Sequence, residues 1–495
     1  MSEDRGFSFE PTFNRAVKIR SRDLRVTSDA GLLLLREVDQ RLGLTASLAA
    51  KLHDPRRADL TRYDLRELLC ERLFALAQGY RPCDDLDILA HDPALRLAAW
   101  DRPGGRALEE RMASQPTQSR LLDILANFPK NQDALRFALG DWLGRHTLAA
   151  GSGRPLQRAT IDLDSFPIEV HGSQAGAEYH GYYKKKIYNP LVATISHRGD
   201  FDSSRLGDGF LHARLRHGAV DSADEAVSFL HEAVAAARPF ADALDVRFDS
   251  AFVEGHILDA LTGMGVGFVG RVRNNSVLDR LADPYLVRPQ GRPPKEGYQK
   301  IIDLIPYQAE SWHYGYRVIL VVIDEPDQKT GQLELFPRHF FLVTSWSSEE
   351  RSAEEILEHY RRRGTFEDRI GEFCGTVLPG LSSPRFEENE VQLLVSLLSY
   401  NLVSMIRGEL ESSGPNGWDL GRVQKTVLKA GARVVKSGRR VLIELSRAAS
   451  VLWARVVEGI ASWALPAHYG TPPSPRRRNW RPPPAHAFLR TVLRQ

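Results

Sequence analysis

Three acidic residues occupy positions from which their carboxylates could converge. Asp164 follows Asp162 by two residues in the strand-like segment 159–166, so both carboxylates face the same side of the predicted sheet. Asp249 ends a second strand-like segment, where a side chain can reach the groove beside a sheet. Glu367 belongs to a charged helical segment further along the chain. Each acid alone is ordinary at a turn or strand end, but the three together indicate a functional site.

The helix predicted over residues 352–372 carries charge on its apolar stripe. Six residues spaced three or four apart share one face of it: Ile356, Tyr360, Arg363, Glu367, Ile370 and Cys374. Charge turned toward the interior is costly unless it meets a partner, a metal ion or a phosphate. The alternative interpretation is an ordinary pair between Arg363 and Glu367, one turn apart on a half-exposed helix.

Length and composition indicate a large globular protein with about three or four domains. The chain has 495 residues, 42% of them hydrophobic and 26% charged. No apolar run approaches the ~18 residues that would cross a bilayer, and the N-terminus lacks the pattern of a secretory signal. The three cysteines, Cys70, Cys83 and Cys374, are an odd number without a CxxC spacing, which excludes a disulfide scaffold and a cysteine-based zinc site. This cysteine usage is typical of a reducing compartment. We therefore expect a cytoplasmic protein.

Charge is strongly segregated along the chain. Residues 421–495 contain 15 lysines and arginines against two glutamates, a net charge of +13, so the other 420 residues sum to −10. A clustered positive charge favours binding to a polyanion such as nucleic acid. A basic tail that only aids solubility is the alternative.

A lysine run gives a second basic candidate. It directly follows His180-Gly-Tyr-Tyr and consists of Lys184, Lys185 and Lys186. Basic and aromatic side chains together suit a nucleic-acid backbone, although a lysine run before a strand is also typical of a solvated surface.

The elements that must position these residues change in kind along the chain. Residues 22–150 show helical periodicity, residues 151–264 alternate strands with a helix, and residues 266–343 are mostly β-like. The pattern predicts a mixed α/β protein with an inserted sheet. Five domains are predicted. They are a helical N-terminal DNA-binding or dimerisation region (1–150), the first part of the α/β core (151–264), a β-rich insertion (265–338), the second part of the core with the Glu367 helix (339–412) and a basic C-terminal DNA-binding or dimerisation region (413–495).

The motifs around the second and third acids are similar to those of a known family. Tyr360-x2-Arg363-x3-Glu367 matches the Tyr-x2-Arg-x3-Glu-x6-Lys signature of a large group of bacterial DDE transposases, and Arg247-Phe-Asp249-Ser-Ala-Phe resembles the motif around their second aspartate. Nearly the whole chain resembles a transposase of the insertion sequence 1380 family. The motifs that carry this resemblance are 25–39, 114–120, 170–174, 180–183 and 428–435. Cys374 stands where the signature has lysine.

The resemblance implies a ribonuclease H-like core, interrupted by a β-rich insertion domain. It places the first aspartate on the first strand, the second beside the fourth strand and the glutamate on a helix after the insertion. Asp164 is the preferred first acid, with Asp162 as the fallback. The implied cofactor is a pair of Mg²⁺ ions, for which Mn²⁺ can substitute, with Asp164 shared between them and Asp249 and Glu367 completing one site each.

Further residues take expected roles from the same resemblance. Arg363 and Tyr360 would hold DNA phosphates, the arginine as a bidentate fork. Trp312 or Trp346 would hold a flipped base, as an aromatic residue does in related transposases, although core packing is the alternative for each. Arg273 would contact the transposon end, although a polar turn is the alternative.

The function implied is transposition. We expect binding to terminal inverted repeats, Mg²⁺-dependent DNA cleavage and strand transfer by a cut-and-paste route, with a hairpin on the excised end as one form of it. The expected assembly is a homodimer on paired ends of double-stranded DNA. Two alternatives stay open: an inactive or domesticated DNA-binding derivative, and a metal-dependent nuclease without strand transfer.

Overall fold

The protein is described here from a computed structural model of the 495-residue chain. It covers residues 7–14, 16–102, 104–197, 208–288, 297–304, 306–326, 336–411, 417–438 and 440–464. The basic residues beyond 464, part of the predicted C-terminal DNA-binding region, lie outside the described residues.

The N-terminal region is helical, as its periodicity predicts. Three two-residue strands precede the helices: β1 (Ser8–Phe9), β2 (Ile19–Arg20) and β3 (Val26–Thr27). The helices are α1 (Leu32–Leu42), α2 (Leu44–Ala49), α3 (Leu65–Ala77), α4 (Asp85–Leu89), α5 (Pro93–Ala99), α6 (Gln115–Ala126) and α7 (Pro129–Ala150). Local chemistry sets several starts: Asp64 and Glu67 form a reciprocal capping box on α3, and proline lies in the first turn of α5, α6 and α7.

The middle of the chain supplies the strands. They are β4 (Leu156–Ser165), β5 (Ile168–Glu169), β6 (Glu178–His180), β7 (Lys185–Tyr188), β8 (Leu191–Ser196), β9 (Gly209–Arg214), β10 (Ala241–Phe248), β11 (Gly267–Val272), β12 (Tyr298–Asp303), β13 (Arg317–Asp324) and β14 (Arg338–Thr344). Between them lie α8 (Ala226–Ala237), α9 (Gly255–Gly263) and α10 (Ser276–Ala282).

Eight of the described strands form one twisted sheet in the order β12-β13-β14-β11-β10-β4-β8-β9. β4, β8 and β9 pair antiparallel, and β10 and β11 continue the sheet parallel to β4. β14 then runs antiparallel to β11, followed by β13 and β12. The small strands β5, β7 and β6 form a separate three-stranded sheet.

The strands of the predicted inserted sheet hydrogen-bond into the main sheet rather than into a sheet of their own. Alternation along a strand identifies a strand but not the sheet it joins. The near-continuous burial of β13 shows that it is covered on both faces, as in the interior of a sheet.

The remaining elements complete the core around one long helix. They are α11 (Ala353–Arg361), α12 (Gly364–Thr376), α13 (Phe386–Glu411), α14 (Leu420–Val423), β15 (Ala432–Ser437), β16 (Arg440–Leu445) and α15 (Arg447–Ser462). α13 packs against α1, α3, α6, α7 and α15. By length and composition it is apolar enough to cross a membrane, but 89% of its most apolar window is buried inside the protein. This burial shows that α13 is a core helix of the protein.

The described part of the basic C-terminal region is built into this core. Seven of its apolar side chains are buried in the same cluster as the N-terminal helices: Leu420, Val423, Val427, Leu428, Val456, Ile460 and Trp463. β15 also pairs with β3 near the start of the chain. Residues 420–463 are consequently structural as well as basic.

Candidate active site

The ends of two parallel neighbouring strands bring the first two acids together. In the register of β4 and β10, Leu163 lies opposite Phe248, and the next residue along each chain is an aspartate, Asp164 or Asp249. Asp164 accepts a hydrogen bond from the amide of Ser165 at 2.8 Å. Asp249 accepts one from the amide of Ala251 at 2.9 Å, which fixes the turn after β10.

The third acid arrives on a helix that is broken rather than continuous. The predicted helix over 352–372 divides into α11 and α12 around Arg362 and Arg363. The amide of Arg363 donates to the Tyr360 carbonyl at 2.9 Å, a tighter turn than an α-helix makes, and Gly364 begins the new helix. The single stripe from Ile356 to Cys374 is thus interrupted, but Arg363 and Glu367 remain one turn apart.

Arg363 joins the carboxylates at this end of the sheet. Its guanidinium forms an ion pair with Asp164, and its Nη1 lies 3.7 Å from a carboxylate oxygen of Glu367. The Arg363–Glu367 pair anticipated as the alternative interpretation is therefore present, together with the link to Asp164. The Glu367 side chain is 73% exposed, whereas that of Asp164 is 17% exposed.

The electrostatics show that the three acids share one local field. Burial raises the pKa of Asp164 to about 7, Arg363 opposes the shift, and the carboxylates of Asp249 and Glu367 add to it. Burial is also the main cause that raises the pKa of Tyr360. A buried carboxylate near two others is a place where positive charge is strongly favoured.

These residues fit a divalent cation by the chemistry of their donors. Carboxylate oxygens are the ligands that Mg²⁺ prefers, and the concentrated negative charge calls for a counter-ion. Within the described ranges, no three histidine, cysteine or acidic side chains are already close enough to hold a metal ion. Arg363 supplies the positive charge instead.

Asp162, the fallback first acid, is paired with a buried arginine. Both of its oxygens accept hydrogen bonds from Arg247, from Nε and Nη2, each at 2.7 Å. Its side chain is 1% exposed and that of Arg247 is 3% exposed. Both oxygens of Asp162 are thus engaged by a buried guanidinium, with which a metal ion would have to compete.

Comparison with known proteins identifies the chain's family. The family model described as transposase DDE domain group 1 matches residues 9–461. The chain belongs to this DDE transposase family. Among curated proteins, none matches it. A solved structure described as a piggyBac transposase synaptic complex with hairpin DNA is similar at 12% sequence identity and a TM-score of 0.39, over 82% of this chain and 80% of that chain.

The lysine run of this DDE family member divides between three environments. Lys184 lies at the exposed tip between β6 and β7, with a left-handed backbone (φ 54°). Lys185 pairs with Glu169 at 2.6 Å, and Lys186 donates to the Gly172 carbonyl at 2.7 Å. The last two are thus held by their own small sheet in the DNA-free protein.

The same tip carries aromatic residues that sequence reasoning did not select individually. Tyr182 is 83% exposed, and its ring meets that of Tyr183 edge-on at 5.1 Å. Burial raises the pKa of Tyr183, and Asp164 and Asp249 add to the shift, which indicates that this tip lies near the acids.

Trp346, one of the two tryptophans expected to hold a base, is 6% exposed, as is Trp312. Trp346 is buried beneath β11, where its ring contacts the backbone at Gly267, and the Arg351 guanidinium lies 3.9 Å from the ring centroid. An indole enclosed on these sides is a core residue. Arg351 belongs to the same packing.

Trp312 and Arg273 lie together beside Asp249. Both line a cavity of about 190 Å³, which also borders Ser250, directly after Asp249. Trp312 is largely buried and packs edge-on against Tyr307 and Tyr316, whereas Arg273 is exposed. The packing alternative for Trp312 is therefore correct for most of its surface.

Cys374, where the family signature has lysine, packs against the hydrophobic core. Burial raises the pKa of its thiol to about 11, so it stays neutral near pH 7. Cys374 therefore makes an apolar packing contact at the position where a lysine would contact the substrate.

Proposed function

We propose that this protein is a DNA transposase that cleaves the ends of its own element and joins them to a target. The observation that carries this proposal is the convergence of Asp164, Asp249 and the Arg363–Glu367 pair at one end of the sheet, in a chain of the DDE transposase family. A member of the insertion sequence 1380 family is the finer assignment that the motifs favour.

The strand arrangement supports a ribonuclease H-like core. β9, β8, β4, β10 and β11 occur side by side, with three antiparallel strands followed by two parallel ones. Asp164 ends the first of these strands along the chain, and Asp249 follows the fourth. β14, β13 and β12 then extend the same sheet, so the region before the Glu367 helix is an extension rather than a detached domain.

The three acids would hold two Mg²⁺ ions, with Asp164 shared and Asp249 and Glu367 completing one site each. Bound ions of this kind activate a nucleophile and neutralise charge on the phosphate. Arg363, released from Asp164, would hold a DNA phosphate through two parallel hydrogen bonds. Tyr360, one helical turn earlier and half-buried against the sheet, would support that contact.

The DNA itself would follow the exposed features around the acids. Lys184 and Tyr182 are exposed at the tip between β6 and β7, and Arg273 lines the cavity that borders Ser250. A flipped base with its edge toward Arg273 and its ring near Trp312 would suit a cut-and-paste route through a hairpin end. Phosphate contacts would position the DNA, and base contacts at the inverted repeats would specify it.

Cleavage of the element's ends tests the proposal. Purified protein and Mg²⁺ are incubated with labelled duplexes that carry the two ends of the DNA element encoding it. Asp249→Asn and Glu367→Gln should abolish nicking, whereas Asp59→Asn, an exposed acid in the N-terminal region, should not. No cleavage by the parent protein would refute the enzyme and favour a DNA-binding derivative, and nicking without joining to target DNA would favour a plain nuclease.

A truncation that tests the basic C-terminus for DNA binding must be shorter than the whole positively charged segment. Deleting residues 421–495 would remove buried side chains such as Leu428 and Ile460, and so would unfold the core. Deleting residues 465–495 removes six arginines and no acid. We expect weaker DNA binding and a salt slope reduced by several units. Unchanged affinity and slope would mean that this segment does not contact DNA.

The paired-end assembly is proposed as a homodimer in which two subunits hold two DNA ends. Sedimentation of the protein with one end duplex, and with a duplex pair, measures the stoichiometry. One subunit per paired complex would refute the dimer.

A further inference from the structure

Arg247 is a buried residue that connects three elements of the candidate active site: β4, β10 and α11. Its Nε and Nη2 donate to the two oxygens of Asp162 on β4, and its Nη1 donates to the carbonyl of His359 in α11 at 2.7 Å. Arg247 itself lies on β10. One buried guanidinium therefore bonds both strands that present the aspartates and the helix that leads to Arg363.

The positions of these contacts match those of the active-site residues. Asp162 precedes Asp164 by two residues, and Arg247 precedes Asp249 by two. Residues two apart on a strand face the same side, and the structure places Asp162 directly opposite Arg247 in the parallel register. The buried pair thus fixes the spacing and register of the strand ends at which the two acids stand.

The third contact falls at the break between α11 and α12. Because the Arg363 amide donates to Tyr360, the preceding carbonyl, that of His359, lacks the partner a continuing α-helix would give it. Arg247 supplies that partner. This bond holds the last turn of α11 against the sheet and so fixes the positions of Tyr360 and Arg363.

We propose that Arg247 is a positioning residue, which together with Asp162 holds Asp164, Asp249 and Arg363 in register for metal and phosphate binding. The inference deepens the proposed function and rests on it. It explains why a charged pair occupies this interior position, since a buried ion pair is often no more stabilising than apolar residues of the same volume.

Four variants separate positioning from stability. Arg247→Met removes every contact, and Arg247→Lys keeps the charge without the fork. Asp162→Leu combined with Arg247→Met replaces the pair by apolar side chains. Arg136→Met is the matched control, because Arg136 forms a largely buried pair with Glu390 at 2.8 Å that joins α7 to α13 and touches no active-site residue.

At temperatures where each variant is folded, we expect Arg247→Met to lower kcat for end cleavage about 100-fold and Arg247→Lys about tenfold, with KM for DNA changed little. The double variant should regain the Tm of the parent and still cleave slowly. Arg136→Met should lose Tm but keep kcat. The proposal would be overturned if Arg247→Met kept the kcat of the parent, or if the double variant recovered both Tm and kcat. If Arg247→Met does not fold, the kcat of Arg247→Lys decides the question.

Hydrogen exchange over residues 356–367 gives a readout that needs no catalysis. Arg247→Met and Arg247→Lys should both exchange faster in this segment, the former by at least about tenfold, whereas Arg136→Met should match the parent there. Parent-like exchange in both Arg247 variants would overturn the positioning role. A parent protein that does not cleave, yet shows this pattern, would refute the proposed function and leave the positioning role supported.

Discussion

The middle and the end of the β4–β10 strand pair carry the same residue types in different surroundings. In the middle, Asp162 and Arg247 are almost fully enclosed and satisfy each other with two hydrogen bonds. At the end, Asp164 meets Arg363, which is also shared with Glu367, and the pKa of Asp164 is raised to about 7 by burial and by the neighbouring acids.

This difference separates a carboxylate that positions the site from one that can bind a ligand. A carboxylate whose oxygens are both occupied contributes geometry, whereas one left in a concentrated negative field retains capacity for a ligand. Two residues of sequence, about 7 Å along a strand, separate the two situations. The predictions below test whether the two aspartates differ in this way.

The largest expected effect is on activity at the strand end. Asp164→Asn should lower the rate of end cleavage by ~10³-fold or more, because it removes the carboxylate shared by the proposed metal ions. Its free energy of unfolding should change by less than about 1 kcal/mol, since neutralising a carboxylate with a raised pKa costs the fold little. Single-turnover cleavage and urea unfolding measure the two quantities, and a stability loss as large as the Asp162 variant's would remove the contrast.

The middle pair should show a large effect on stability. Asp162→Asn leaves the buried Arg247 without its counter-charge and should lower the free energy of unfolding by ~3–5 kcal/mol. Urea unfolding beside Asp164→Asn gives the comparison. Equal stability of the two variants would mean that burial does not distinguish the pairs.

A buried group without any counter-charge extends the comparison. His146 of α7 is fully buried, neither ring nitrogen has a hydrogen-bond partner among the described residues, and burial lowers its pKa to about 4. Because the folded pKa lies below the ordinary value near 6.5, stability is complete above that pH and falls as the pH decreases toward 4, by ~3 kcal/mol. His146→Leu should flatten the stability–pH curve in this window, and a curve parallel to the parent's would show that His146 does not control it.

The smallest expected effect concerns the charge at the strand end. Arg363→Gln removes the cation that now neutralises Asp164, so Mn²⁺ should bind the DNA-free protein about fivefold more tightly, equivalent to ~1 kcal/mol. The same variant should bind end DNA more weakly because it lacks the phosphate fork. Calorimetry with Mn²⁺ alone, and a separate DNA titration, measure these effects. Weaker Mn²⁺ binding would mean that Arg363 supports the metal site rather than competing with it.

Much of the candidate site was predictable because its parts lie in local patterns. Asp164 at a strand end, Asp249 before a turn and Arg363 four residues before Glu367 are visible in the sequence, and the motifs indicated a DDE transposase, the broader family that the comparison then showed. Alternation and periodicity also predicted most strands and helices. The break between α11 and α12 was missed, because it depends on contacts made by a strand about 110 residues earlier.

Sequence patterns were weakest where packing partners decide the outcome. Trp346 and Trp312 are both aromatic residues in or near β-like segments, yet one lies under β11 and the other borders a cavity. The run of three lysines likewise separates into one exposed tip and two residues bound by their own sheet. A side chain's type does not reveal which neighbour the fold will bring to it.

The sequence by itself determined the order of elements, the three acids, the Tyr-x2-Arg-x3-Glu motif and the concentration of positive charge at the C-terminus, since each is fixed by residue type and spacing. Tertiary structure alone decided that Asp162 is fully enclosed and paired with Arg247 whereas Asp164 keeps partial exposure, that the β-like run extends the main sheet, and that residues 420–463 belong to the core. These outcomes depend on strand register and burial, which are set by contacts between residues far apart in the chain.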